Sequence, residues 1–215
     1  VFKAAAHIFE ADPADLDAMA GEIFVMGTDR RMSFRQLARA LFSEMGRFPN
    51  ELREEISLEA IRTYDPFFGT TSPASHLVMI EVDRGTYGVS ILHYSAADDC
   101  GLVINPLIVN GQFHGGVAQG IGAALTEEVV YDESGQIQTA SLVDYVVPSA
   151  TEVPDMSVQH VEAHLPDNLG GFRGMGEGGT IGAPAAIANA IADAVGRDIN
   201  VLPMTPERIF RLFHN

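Results

Sequence analysis

The chain has 215 residues, 47% of them hydrophobic, and carries 29 acidic against 13 basic side chains for a formal charge of −16 at pH 7. That is enough apolar material for one large core or two small ones, and with no Lys/Arg cluster anywhere a nucleic-acid partner is not expected, because phosphate backbones are held by local positive charge. The one cysteine, Cys100, excludes an internal disulfide framework and an iron–sulfur cluster held by this chain alone, since such clusters take about four thiolates.

The N-terminus has no basic stretch leading into a hydrophobic one, and no apolar run approaches the roughly 20 residues of a membrane span, so the expected compartment is the cytoplasm. There is no starting methionine, and Phe2, Ala5, Ala6 and Phe9 already follow helical spacing that Asp12 and Pro13 end. This pattern suggests a processed piece or a split-gene subunit. Residues 22–26 (EIFVM) suit a short strand. Ser33 and Gln36 form a capping box for a helix over 34–44, with Phe34, Leu37, Ala38 and Leu41 on its inner face. From Arg47 to Ser72 the text is irregular and reads as a long connection.

Residues 76–83 and 87–95 are β-rich runs joined by a turn at Arg84 and Gly85, which predicts a hairpin within a larger sheet. Asp98, Asp99 and Cys100 follow, with no histidine at ligand spacing, and a lone cysteine is most often a small buried hydrophobe. From Pro106 to Leu125 the pattern is helical, although Gly111, Gly115, Gly116, Gly120 and Gly122 crowd it. Each interior glycine costs about 1 kcal/mol relative to alanine, so several together imply close approach of another backbone or of a cofactor. Gln119 lies among them and its amide both donates and accepts, which suits either a ligand edge or a helix–helix contact. His114 reads as an ordinary polar residue.

A second hairpin is expected through the turn at Asp132–Gly135. His160, Glu162 and His164 alternate as metal ligands on one strand face would, but an edge strand with a polar face explains the same spacing. The stretch from Gly170 to Gly182, GGFRGMGEGGTIG, is dense in glycine and has Glu177 as its carboxylate. It leads into a helix expected over Ala183–Val195, with Pro184 in the first turn and Gly196 as the stop. Such a loop suits an anionic ligand at a helix N-terminus, with Glu177 at the ligand's edge as a base, and equally a glycine-rich surface turn with an incidental glutamate. Thr205 and Pro206 open a last helix docked by Ile209, Phe210, Leu212 and Phe213. The class is therefore α+β, with mixed sheets and hairpins against packed helices.

Three stretches carry a resemblance. RGMGEGGTIGAPAAIANAIADAVG, GQFHGGVAQGIGAAL at 111–125 and LPMTPERI at 202–209 are similar to the C-terminal part of the molybdopterin-binding large subunit of the xanthine dehydrogenase family. That family includes aerobic carbon monoxide dehydrogenase and bacterial aldehyde and N-heterocycle hydroxylases. The resemblance extends over residues 1–215 and implies one C-terminal molybdopterin-binding domain whose upstream half is missing. It implies that Glu177, the glutamate of the GxGE motif, takes a proton from a molybdenum-bound hydroxyl whose oxygen attacks an electron-poor carbon. A water-poor pocket would make that carboxylate a stronger base than in solvent. Gln119 with Ala118 and Gly120, and Met175 with Gly176, would contact the cofactor, molybdenum–molybdopterin in the cytosine dinucleotide form.

The resemblance further implies a remaining large-subunit polypeptide, an iron–sulfur subunit, a flavin subunit carrying FAD, and a small-molecule substrate. It also makes Phe67 and Phe68 candidates for a substrate funnel, against the plainer reading that they are packed inside. Two other classes fit the same residues. One is a nucleotide-dependent enzyme using the glycine loop, although no lysine or magnesium-ligand pattern accompanies it. The other is a non-catalytic interaction subunit with the same fold.

Overall fold

A computed structural model describes residues 1–65, 70–166 and 168–214, and within them the chain divides into two units, Val1–Tyr64 and Asp65–Asn215. Phe67 and Phe68 lie outside the described residues.

In the first unit, helix α1 (Phe2–Phe9) buries Ala4, Ala5, Ala6 and Phe9 and stops at Glu10, whose φ of 50° is left-handed. Strands β1 (Leu16–Met19), β2 (Glu22–Val25) and β3 (Arg31–Ser33) form an antiparallel meander in that order. The expected capping box is present: the Ser33 hydroxyl accepts from the Gln36 amide, and the Gln36 side chain accepts from the Ser33 backbone N–H. It opens α2 (Phe34–Ser43), whose buried face runs through Leu37, Ala40 and Leu41, while Phe34 is 41% exposed. The inner face is thus turned slightly from the one read off the spacing of Phe34 and Ala38. Ile23 on β2 and Leu37 on α2 meet in a core that Phe48 and Ile56 complete, and a single helical turn, α3 (Asn50–Arg53), lies between those two.

In the second unit, β4 (Ala74–Val82) and β5 (Val89–Asp98) make the expected hairpin, paired from Val82↔Val89 to Ala74↔Asp98 with a bulge between Met79 and Ile80. The 20-residue helix α4 (Pro106–Leu125) follows, capped by the Asn105 side chain. Strand β6 (Met156–His160) adds to β5 in parallel. The hairpin expected around Asp132 contracts to one bridge, Tyr131↔Ile137, beside a turn held by the Asp132 carboxylate. Helix α5 (Gly178–Val195) and helix α6 (Pro206–His214) complete the unit. Tyr94, Phe113, Val117, Ile121, Ile187 and Ile191 form its core between sheet and helices. The other sheet face is open, with Leu77, Met79 and Leu92 each more than half exposed.

Helix α5 begins five residues earlier than the sequence suggests, at Gly178 rather than Ala183. Glycine has poor helix propensity, but packing overrides it here. A Cβ at Gly179 would stand 2.3 Å from the Phe113 carbonyl oxygen, and one at Gly116 would stand 3.0 Å from the Thr180 nitrogen. Only bare backbone lets the two helices meet so closely. The contacts Phe113/Gly179, Gly116/Thr180 and Gly120/Ala183 advance in the same sense along both, so α4 and α5 run parallel where they touch. Pro184 consequently falls inside the helix, where a proline cannot donate to the Thr180 carbonyl.

Candidate functional site

The glycine-rich loop is fastened to the rest of its unit along its length. Gly170 and Gly171 take left-handed φ values of 77° and 68°, which only glycine adopts without strain. Phe172 then bridges to Gly101, the Arg173 N–H donates to the Cys100 carbonyl at 2.7 Å, and the Gly174 N–H donates to the Thr70 carbonyl at 3.1 Å. The Arg173 guanidinium also pairs with Asp99 at 3.4 Å. Further on, the Gln112 side-chain amide donates to the Gly176 carbonyl at 2.7 Å, and the Thr180 hydroxyl donates to the Gly116 carbonyl at 3.1 Å.

Glu177 occupies the N-cap position of α5, yet its side chain makes no capping bond. Its carboxylate is therefore not consumed by the helix end. It lines a pocket of about 310 Å³ with Thr70, Thr71, Ser72, Gly174, Gly176, Gly178 and Ile181. Glu177 is exposed, because glycines on either side present no side chain to cover it. The dry surroundings expected for a strengthened base are thus not supplied by these residues.

Gln119, also exposed, is the longer acceptor in a three-centre bond, its Oε1 lying 3.3 Å from the Thr180 hydroxyl whose one proton is shared with the Gly116 carbonyl. Among the described residues its amide nitrogen has no protein partner, so a donor remains for a ligand. Gln112 is seven residues before it, two turns back on the same face, and Gly115 between them meets nothing within 4 Å of an added Cβ. The strip from Gly115 to Gln119 beside Gly176 and Glu177 is open backbone with one uncommitted amide, a surface that suits a flat hydrogen-bonding ligand, whereas the Gln112 amide is spent on the Gly176 carbonyl. Ala118 is half-buried beside it. Met175 is half-buried too, with its sulfur 3.2 Å from where a Cβ on Gly178 would stand. Gly120 is placed otherwise: an added Cβ would meet the Ala183 Cβ at 2.6 Å, so its close approach is to α5.

Under the first turn of α5 lies His76, stacked on Phe113 with ring centroids 5.6 Å apart, its Nδ1 2.7 Å from the Tyr94 hydroxyl. Burial holds the imidazole below its ordinary pKa and pushes the Tyr94 phenol above its own. A Cβ at Gly182 would stand 2.3 Å from the His76 ring. Sequence reasoning missed His76, Gln112, Thr180 and the Thr70–Ser72 wall. The two-turn repeat of Gln112 and Gln119 was the signal that could have found Gln112; for the others, pairing across more than 60 or 100 positions leaves no local trace.

The remaining polar clusters are structural. His160 ends β6, so Glu162 and His164 lie beyond the strand and do not share its face. Its Nδ1 is 2.5 Å from Asp98 Oδ1 and its Nε2 is 2.8 Å from Asn110 Oδ1. Asp99 accepts from the N–H groups of Gly101 and Ala163. Cys100 is buried, and burial together with the nearby Asp98 charge raises its thiol pKa. His114 is exposed. Among the described residues no three His, Cys, Asp or Glu side chains are grouped to hold a metal ion, and no helix is long and apolar enough to cross a membrane.

Residues 1–154 match the family of molybdopterin cofactor-binding domains. The chain is 41% identical over 214 residues to the 6-hydroxypseudooxynicotine dehydrogenase complex subunit gamma of Paenarthrobacter nicotinovorans, covering 97% of this chain and 26% of that protein. It is 35% identical over 211 residues to the nicotine 6-hydroxylase large subunit of the same organism, covering 96% of this chain and 26% of that protein. Among solved structures, quinoline 2-oxidoreductase from Pseudomonas putida 86 superposes with a TM-score of 0.75 at 37% identity, over 98% of this chain and 27% of that one. The chain therefore spans about a quarter of the length of the relatives it matches.

Proposed function

The chain belongs to the molybdenum-binding large-subunit family of xanthine dehydrogenase and carbon monoxide dehydrogenase, and from that premise we propose that residues 1–215 form the C-terminal molybdopterin-binding part of a molybdenum hydroxylase in which Glu177 is the general base. The observation that carries this reading is the Glu177 carboxylate, free of any capping bond, on the lip of a pocket bordered by bare glycine backbone. A carboxylate at that place can take a proton from a group bound in the pocket. When bound, the molybdenum cofactor would supply the water-derived oxygen and accept the two electrons of the substrate oxidation.

This chain's part is to hold and orient. Gln119 would donate its uncommitted amide N–H to the cofactor, while Thr180 fixes the other end of that amide. Gly176, where an added Cβ meets nothing, and Ala118 and Met175 beside it would form the cradle wall. Gly120 would contribute indirectly, by letting α4 lie close enough to α5 to bring Gln119 and Glu177 to one surface. The rest of the large subunit would close over Glu177 and exclude the water that reaches it here.

The substrate we infer is a nitrogen heterocycle hydroxylated at an electron-poor ring carbon, supported by relatives named for nicotine and quinoline. The cytosine dinucleotide form of the cofactor, and separate iron–sulfur and FAD subunits, complete the proposal. Glu177→Gln should retain molybdenum at parent content while turnover falls by about three orders of magnitude or more, within the range lost when a general base is removed. Turnover within tenfold of the parent would reject Glu177 as the base.

A further inference from the structure

Between the last backbone anchor at Gly174 and the start of α5 at Gly178, the Met175 side chain packs against the core, but Gly176 and Glu177 that follow it are exposed. Gly176 is exposed, and a Cβ placed on it would meet nothing within 4 Å. Glycine in open space leaves both of its dihedrals soft. The direction of the Glu177 side chain depends on the peptide plane that precedes it, which is rigid in itself but free to rotate about Gly176. Among the described residues, the group that holds that plane is the Gln112 side-chain amide, donating to the Gly176 carbonyl at 2.7 Å from 64 positions away.

Gln112 is itself well placed to act as a fixed point. It stands on α4 between Asn110, which is bonded to His160 at 2.8 Å, and Phe113, which is fully buried and touches Gly179. A group on a helix locked on both sides positions its partner better than one on a loop. The peptide after Glu177 is held by the helix, its carbonyl accepting from the N–H groups of Thr180 and Ile181 at 3.0 and 3.3 Å, whereas the contacts at Arg173, Gly174 and the Thr180 hydroxyl do not reach the peptide before it.

We propose that Gln112 is a positioning residue that sets the orientation of Glu177 by holding the Gly176 carbonyl; this rests on the reading of Glu177 as base. One neutral hydrogen bond stabilises by about 0.5–1.5 kcal/mol, which corresponds to a change of about twofold to thirteenfold in loop order. A misplaced catalytic group loses rate with little effect on substrate affinity, so the deficit belongs in kcat and not in KM.

The test uses the full-length large subunit assembled with its cofactor and partner subunits. Gln112→Leu should raise amide hydrogen exchange across residues 175–181 by about twofold to thirteenfold and lower kcat by a similar factor, with KM within about twofold and molybdenum content unchanged. Gln112→Lys restores a donor and should return exchange close to the parent, which a purely space-filling role would not do. Exchange in Gln112→Leu equal to the parent overturns the proposal. Faster exchange with unaltered kcat overturns it as well if Glu177→Gln, run in parallel, abolishes turnover. Retained turnover in Glu177→Gln would instead refute the base, and the exchange and rescue arms would still decide whether Gln112 holds the loop.

Discussion

Asp98 is 1% exposed, and its carboxylate meets His160, which in turn meets Asn110 on α4. A buried carboxylate is tolerated only while it is paired, and removing one partner of a buried pair costs about 3–5 kcal/mol. His160→Leu should therefore lower unfolding stability by about that amount in chemical denaturation, and Asp98→Leu/His160→Leu should recover part of it. A single-variant loss below about 1 kcal/mol would mean that the pair contributes little. The same residues illustrate what the sequence withholds. His160 looks like a metal ligand by spacing, and its engagement with Asp98, 62 positions away, has no local signature. Glu177 was legible because one acid stood in a glycine-dense loop before a helix; its exposure was not, since covering groups come from elsewhere in space.

The two parallel helices sort the glycines of α4 by what they face. Gly116 and Gly120 meet α5, Gly122 meets Glu127 and Pro148, and Gly111 and Gly115 meet nothing. Gly120→Ala drives a methyl to 2.6 Å from the Ala183 Cβ, and overpacking of that kind costs about 1–3 kcal/mol. Gly111→Ala fills open space and should raise helix stability by up to about 1 kcal/mol. Thermal unfolding of the two variants should shift in opposite directions, and equal shifts would contradict the helix packing. The number of glycines in α4 announced a close approach, but sequence left open whether to backbone or to ligand. Periodicity placed α4 and the β4–β5 hairpin well because their apolar patterns are long. It set the start of α5 five residues late because the GGTIG segment is helical only through its contact with α4.

At the scale of the whole molecule, the α+β class was readable from the alternation of helical and strand periods, and three separated motifs pointed to the family. The division at Tyr64 was not, since the irregular stretch around it reads the same as any long connection. The parallel addition of β6 to β5 also escaped notice, because nothing local distinguishes a strand's partner. The sheet's outward face, where Leu77, Met79 and Leu92 stand more than half exposed, has a practical consequence. Between copies of this stretch prepared by itself, those side chains would attract while the charge of −16 repels. Repulsion is screened within about 8 Å at physiological ionic strength whereas apolar attraction persists. Sedimentation should then find the isolated polypeptide dispersed in dilute buffer and self-associating as sodium chloride is added. Leu77→Lys/Leu92→Glu should keep it dispersed throughout.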